Sequence, residues 1–217
     1  SPSAVERTSP TTIIIPTFNR PAMLRECLDA LQRQTVRAHE IIIVNDGGEA
    51  SLLNSLPDIG VPVRVLHQEN AGKSVAVNVA VKQAQADFIW IVDDDDIALP
   101  TALATLTDLL SAAPEAGFAY GRHDRFIEKP DGTHHVFDTG YWCDTTPDHF
   151  LLATLEDFFA HQTGMLVRRT AFDAVGAFNE SLFRSLDYEM SLRLARSFLP
   201  VSTQQVVFLQ RQHSGQR

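Results

Sequence analysis

Cysteine is almost missing from this chain. Cys27 and Cys143 are the only two in 217 residues, too few for a metal-ligand cluster and under no requirement to pair. Basic runs are missing too: 18 Lys and Arg stand against 27 Asp and Glu, giving a net charge of −9, so nucleic acid is not an expected partner. No apolar stretch approaches the ~18 residues that span a bilayer, so no transmembrane segment is expected. The polar opening, Ser1-Pro2-Ser3 to Ser9-Pro10, lacks the apolar centre of a signal peptide and reads as a loose lead-in over residues 1–10. Together these absences point to a cytoplasmic soluble protein, in which Asn179-Glu180-Ser181 is a chance match to a glycosylation acceptor. Glycine-rich phosphate loops are also absent. Gly72-Lys73-Ser74 has the end of one, but His67 stands where its first glycine is needed, and no G-x-G-x-x-G follows a strand.

What the chain does have is an unbroken acidic run. Phe88-Ile89-Trp90-Ile91-Val92 reads as a strand buried on both faces, and Asp93-Asp94-Asp95-Asp96 follow directly. Strand alternation would send Asp93 and Asp95 to one side and Asp94 to the other. Ligands of open α/β sheets sit beyond the carboxyl ends of the strands. Carboxylates this close repel by about 1 kcal/mol per pair at ~4 Å even in water. A divalent cation such as Mg²⁺ or Mn²⁺ would relieve that repulsion and bridge to phosphates. A solvated acidic helix start before Pro100 is the plainer alternative.

Around this run the first half alternates strands and helices. Thr12–Ile15, Ile41–Val44, Val63–Leu66 and Phe88–Val92 are short buried strands; helices begin at Asn19-Arg20-Pro21 and cover 74–84. That order implies a parallel sheet covered by helices. A helix then runs from Pro100 to about Ala112. Beyond it the pattern is mixed: a hairpin of 118–127 and 133–137 around Lys129-Pro130-Asp131-Gly132, a helix over 150–159, a strand at 165–167, a helix over 186–198 and a strand at 206–209. A second carboxylate, Asp46, ends the second strand in Asn45-Asp46-Gly47-Gly48. It can accept the N–H of a uracil ring, although this pattern also serves as a plain turn.

Several blocks, in order, resemble family-2 glycosyltransferases of the GT-A fold: Ile-Ile-Ile-Pro-Thr-Phe-Asn-Arg (13–20), Ile-Ile-Ile-Val-Asn-Asp-Gly-Gly (41–48), Asn-Ala-Gly-Lys-Ser-Val-Ala-Val-Asn (70–78) and Ile-Val-Asp-Asp-Asp-Asp-Ile (91–97). The likeness continues through 164–169, 175–180 and 186–194. It implies an α/β GT-A domain over 11–217, with a Rossmann-like nucleotide-sugar half (about 11–99) fused to a mixed acceptor half (about 100–217). It implies an inverting enzyme that moves a sugar from a nucleotide diphosphate, UDP foremost, to an acceptor hydroxyl on a glycan, lipid-linked or small molecule, with Mn²⁺ or Mg²⁺.

Under that resemblance Pro16, Thr17 and Asn19 line the nucleobase and ribose pocket, and Asp46 holds the base. Lys73 and Asn78 fall in the sugar-nucleotide segment, with Lys73 near the diphosphate, and Asp94 joins the donor site. Asp93 and Asp95 match the metal-binding signature, His213 stands where relatives place a histidine near the metal, and Asp187 matches the general base. Departures are Leu186 in place of an acidic residue, Val77 in place of arginine, Asn45 in place of aspartate, and no Gln-x-x-Arg-Trp motif, which argues against a processive synthase.

From the residues alone, Asp187 also reads as the N-cap of the 186–198 helix, a role that can coexist with catalysis. Tyr141 and Trp142 are either sugar platforms or core plugs. His134-His135 is expected to be exposed, without ligand spacing. A sugar nucleotidyltransferase and a non-catalytic nucleotide-sugar or glycan-binding module remain the alternatives to transfer.

Overall fold

The structure, a computed structural model, describes residues 6–213. Its first half is built from β1 (Thr11–Thr17), α1 (Pro21–Gln32), β2 (Glu40–Asp46), β3 (Val63–Gln68), α2 (Lys73–Gln83) and β4 (Phe88–Ile91). β1 pairs in parallel with β2 and β4, and β2 with β3. Only a single short 3₁₀ turn, Ala50–Leu53, occupies the β2–β3 connection where a full helix would complete the repeat.

The isoleucine runs are apolar without alternation because helices cover both faces of the sheet. Ile13, Ile15, Ile41 and Ile43 pack with Leu24 and Leu28 of α1. Ile14, Ile42 and Val44 pack on the opposite side with Ala76, Val77 and Ala80 of α2. Each buried Leu or Ile contributes about 1.5–3 kcal/mol, so the two faces lock the register of these strands.

The second half adds β5 (Ile97–Ala98), α3 (Ala102–Ala112), β6 (Phe118–Glu128), β7 (His134–Thr139), α4 (Phe150–Glu156), β8 (Met165–Arg168), α5 (Arg169–Val175), α6 (Leu186–Ser197) and β9 (Pro200–Arg211). All join one mixed sheet in the order β3-β2-β1-β4-β8-β6-β9-β5, with β7 paired to β6. β8 runs antiparallel to β4 and so carries the sheet from one half into the other. β9 lies parallel to β6 along most of its length, and its other edge holds β5, just past the acidic run.

Several expectations change. Residues 7–9 are not loose: Thr8 bridges Arg37, Ser9 donates its N–H to the Arg37 carbonyl at 2.7 Å, and Ser9 is buried. The helix expected over 150–159 stops at Glu156, where Asp157 turns extended, and Phe159 plugs the aromatic core instead. The closing strand begins six residues early, at Pro200, because its outer residues pair along β6 without being apolar. Among the described residues no helix is long and apolar enough to cross a membrane.

Candidate active site

The acidic run lies beyond the end of β4 in a tight turn, closed by the Asp96 N–H donating to the Asp93 carbonyl at 3.1 Å. As alternation predicts, Asp93 and Asp95 share a side and Asp94 takes the other, but the strand stops at Ile91 and Asp96 joins the first pair. Oxygens of Asp93, Asp95 and Asp96 come within 4.8 Å of one another, and Asp94 turns away to accept from the Thr17 hydroxyl at 2.8 Å and from Arg20 at 3.4 Å. Burial, partly offset by Thr17 and Arg20, pushes the Asp94 carboxyl up to about 6. Burial also drives Asp96 well above the usual carboxylate range, helped by repulsion from Asp93 and Asp95. His213 Nε2 sits 2.8 Å from Asp95 Oδ2, so the far end of the described chain reaches the turn.

An open cleft of about 680 Å³ faces this turn, lined by Pro16, Thr17, Arg20, Asp46, Lys73, Asp93, Asp94 and Asp95. Asp46 accepts from the Gln68 amide at 2.9 Å and from the Ala71 and Gly72 N–H groups at 2.8 and 3.0 Å. A carboxylate has about four lone-pair sites, so roughly one remains for a ligand N–H. Lys73 opens α2 and places Nζ 2.5 Å from Asp93 Oδ1. Burial alone would lower its pKa, but Asp93, Asp187 and Asp96 together outweigh that and raise it, keeping a cation on the cleft wall.

Two residues from the same sequence blocks have other partners. Asn19, in a left-handed conformation at φ 49°, spends its side-chain oxygen on the Glu49 N–H at 2.8 Å. Asn78 is buried with its amide committed: it accepts from the Phe178 N–H at 2.8 Å and donates to the Phe178 carbonyl and Glu180 at 2.9 and 3.0 Å. Both shape the walls from behind.

Asp187 is not an N-cap. Ser185 holds that position at φ 57° with no side-chain bond, and Asp187 lies in the first turn of α6, its Oδ1 accepting the Tyr188 N–H at 3.0 Å. Its charge acts on both Lys73 and His161, so it lies within electrostatic reach of the cleft wall. Between Asp187 and the acidic turn runs the 161–164 segment, which carried no sequence motif. Thr163 accepts the Asp93 N–H at 3.1 Å and donates to Asp96 at 2.6 Å, while its carbonyl accepts the Trp90 indole N–H at 2.7 Å. Burial lowers the His161 imidazole against the pull of Asp187, Asp93 and Asp157. Gln162, also buried, lines a small, mostly apolar pocket beside Asp187 and leaves its side-chain oxygen unpartnered.

Trp142 packs on Tyr120 and Phe159 and is a core plug, whereas Tyr141 is half exposed. His134 is exposed as expected, but it does have a carboxylate neighbour: its Nε2 lies 2.9 Å from Glu26. That partner is more than a hundred positions away, so no local spacing could have announced it.

The cleft thus combines an acidic turn, the Asp46 carboxylate and a lysine, and comparison with known proteins decides its family. The profile of glycosyl transferase family 2 matches residues 12–176. The chain belongs to glycosyltransferase family 2. It is 30% identical over 193 residues to an uncharacterized glycosyltransferase, YwdF, of Bacillus subtilis, covering 86% of this chain and 68% of that protein. Its fold is GT-A, resembling S. aureus TarS in complex with UDP-GlcNAc (TM-score 0.77, 17% identity, 95% of this chain and 59% of that one). It also resembles the mannosyltransferase PcManGT of Pyrobaculum calidifontis in complex with GDP-Man and Mn²⁺ (TM-score 0.66, 18% identity, 94% of this chain and 57% of that one). The chain therefore spans less than two thirds of either solved chain, and 31% of two relatives from Rickettsia.

Proposed function

We propose that this glycosyltransferase transfers a sugar from a UDP-linked donor to an acceptor hydroxyl by a single displacement with inversion. The observation that carries the reading is the convergence of Asp93, Asp95 and the buried Asp96 within 4.8 Å, the first two on the wall of the cleft that also holds Asp46 and Lys73. The residues about 11–99 form the donor half in this reading, and about 100–217 the acceptor half.

Pro16 and Thr17 line the nucleobase and ribose end, and Asp46 uses its remaining lone pair on a base N–H. Asn19 and Asn78 act at one remove, fixing the loops behind that end. Lys73 and Arg20 present cations to the diphosphate. Asp94, tied to Thr17, holds Arg20 in place. The carboxylate oxygens of Asp93 and Asp95, with His213 beside them, form a hard donor set that fits Mn²⁺ or Mg²⁺. A bound cation there supplies Lewis-acid neutralisation of the charge that develops on the departing diphosphate.

Asp187 takes the proton from the acceptor hydroxyl. A general base in reach of its proton contributes ~10²–10⁴-fold. Attack from the side opposite the leaving diphosphate inverts the anomeric centre, and Asp187 comes from α6, an element separate from the acidic turn. Family membership favours sugar transfer over nucleotidyl transfer, and the products separate the two: nucleoside diphosphate in one case, pyrophosphate in the other. For Asp187→Asn we expect nucleotide affinity within about twofold of wild type and a loss of transfer of at least ~10². Transfer at the wild-type rate would remove Asp187 from the mechanism.

A further inference from the structure

Beside the acidic turn lies an ionic cluster around one buried guanidinium that none of the roles above uses. Arg211, the last residue of β9, has a side chain only 2% exposed. Its Nη2 donates to Glu26 of α1 at 3.0 Å, its Nη1 to Glu128 of β6 at 2.6 Å, and its Nε to the main-chain carbonyl of Asp95 at 3.0 Å. The guanidinium also stacks over the Phe126 ring, 4.8 Å from its centre. Glu26, Glu128 and His134 group closely enough to suggest a cation site, but the guanidinium bonded to both carboxylates already lies among them.

We propose that Arg211 is a positioning residue for the metal-binding carboxylates, pinning the acidic turn through the Asp95 main chain; the inference rests on the metal-assisted reading given above. Four consecutive aspartates repel, and a free turn would relax by spreading them. Arg20, Lys73 and His213 counter that repulsion by occupying side-chain oxygens, which a divalent cation must share or displace. The Arg211 side chain differs because in the turn it takes only the Asp95 carbonyl and leaves both Asp95 carboxylate oxygens available. Its planar fork is itself fixed from two sides, by the donor-side helix α1 and by the acceptor-side hairpin strand β6. Arginine suits this post, since five N–H donors in a rigid plane can meet three oxygen acceptors at once, which a lysine ammonium on a flexible stem cannot do with the same geometry.

The test uses Mn²⁺ alone, without donor, titrated into the protein and followed by electron paramagnetic resonance of the free ion. In Arg211→Lys, which keeps the charge between the two glutamates, Mn²⁺ affinity should fall about tenfold or more, as for other residues that orient metal ligands. UDP binding measured in EDTA should change less than about twofold, because Asp46 and Lys73 lie apart from Arg211. A variant that melts earlier yet binds Mn²⁺ with wild-type affinity when folded overturns the inference and leaves Arg211 a structural residue only. Should Arg211→Lys not fold, the double variant Glu26→Gln, Glu128→Gln carries the same measurement; its sites are a third or more exposed and it releases the guanidinium without removing it. Again, unchanged Mn²⁺ affinity overturns the proposal. Asp95→Ala is the control: if it leaves Mn²⁺ binding intact, the metal reading itself fails and the inference falls with it, whereas a response to Asp95→Ala but not to the Arg211 variants sinks the inference alone.

Discussion

At the scale of single residues, His123 makes the clearest claim about solution behaviour. It is buried within β6, stacked on Phe208 with ring centres 5.2 Å apart and edge-on to His161 at 4.6 Å. Gly140 packs so closely on its ring that a Cβ there would collide with it. Burial, with His161, Arg125 and Arg122 nearby, pushes its pKa down to about 4. An unfolded histidine titrates near ~6.5, so between those values the unfolded chain binds the extra proton and stability falls as pH falls. Full stability from this group is present above about 6.5, and near pH 5 the loss is about 2 kcal/mol. His123→Phe keeps an aromatic ring against Phe208 and removes the proton site. Urea unfolding at pH 7.5 and pH 5 should therefore show a smaller acid loss in the variant than in wild type; an equal loss would place the acid sensitivity elsewhere. Nothing around His123 in the sequence marks it, because its partners come from β9 and the 161–164 segment.

Among the elements, α2 shows how a backbone conformation serves a ligand site. Gly72 caps it at φ 96° and ψ 161°, a region that side-chain-bearing residues avoid at a cost of about 1–3 kcal/mol. The space for a Cβ is open, with Phe183 no nearer than 3.9 Å, so strain rather than collision sets the penalty. We expect Gly72→Ala to lower unfolding free energy by about 1–3 kcal/mol. It should also weaken nucleotide binding, because the Gly72 N–H is one of three donors orienting Asp46. Calorimetric titration with UDP checks the second part, and unchanged affinity would detach the loop from the base-binding role. The elements legible in the sequence were those with a one-body signal: runs of isoleucine for β1 and β2, Pro21 at the first turn of α1, and the Pro-Asp-Gly turn between β6 and β7. Those that were missed had no such signal. α5 follows β8 without a breaker, Arg168 being strand and Arg169 helix, and β5 is two residues long. β9 looked short because Ser202, Gln204 and Gln205 are polar where the strand faces outward.

For the molecule as a whole, the donor half and the acidic turn should answer to ligand together. A nucleotide at ~100 times its dissociation constant stabilises by about 2.7 kcal/mol. In a domain of this size that raises the melting temperature by roughly 5–10 °C. We expect the largest shift with UDP plus Mn²⁺, a smaller one with UDP in EDTA, and little with CDP or dTDP; a larger shift with GDP would move the donor class. The donor-side carboxylates were legible as a list because each ends a strand of a parallel sheet, where such sheets bind ligands. The support around them was not, since Thr163 and Arg211 reach the turn from separate elements, and Glu26 and Glu128 hold Arg211 from two more. Their sequence positions carry no pattern, and only the pairing of β8 with β4 and of β9 with β6 brings them together.

That last pairing has a consequence for how the protein is made. Asp95 leaves the ribosome 116 residues ahead of Arg211, and β6 waits some eighty residues for the strand that lies along it. Domains begin to fold from the N-terminal side at ~5–20 residues per second of synthesis, so the donor half has several seconds to collapse before its anchor exists. During that interval the acidic turn stands unpinned and β6 presents a bare edge. A nascent chain of this protein thus forms the strands behind its cleft early and pins its acidic turn only much later.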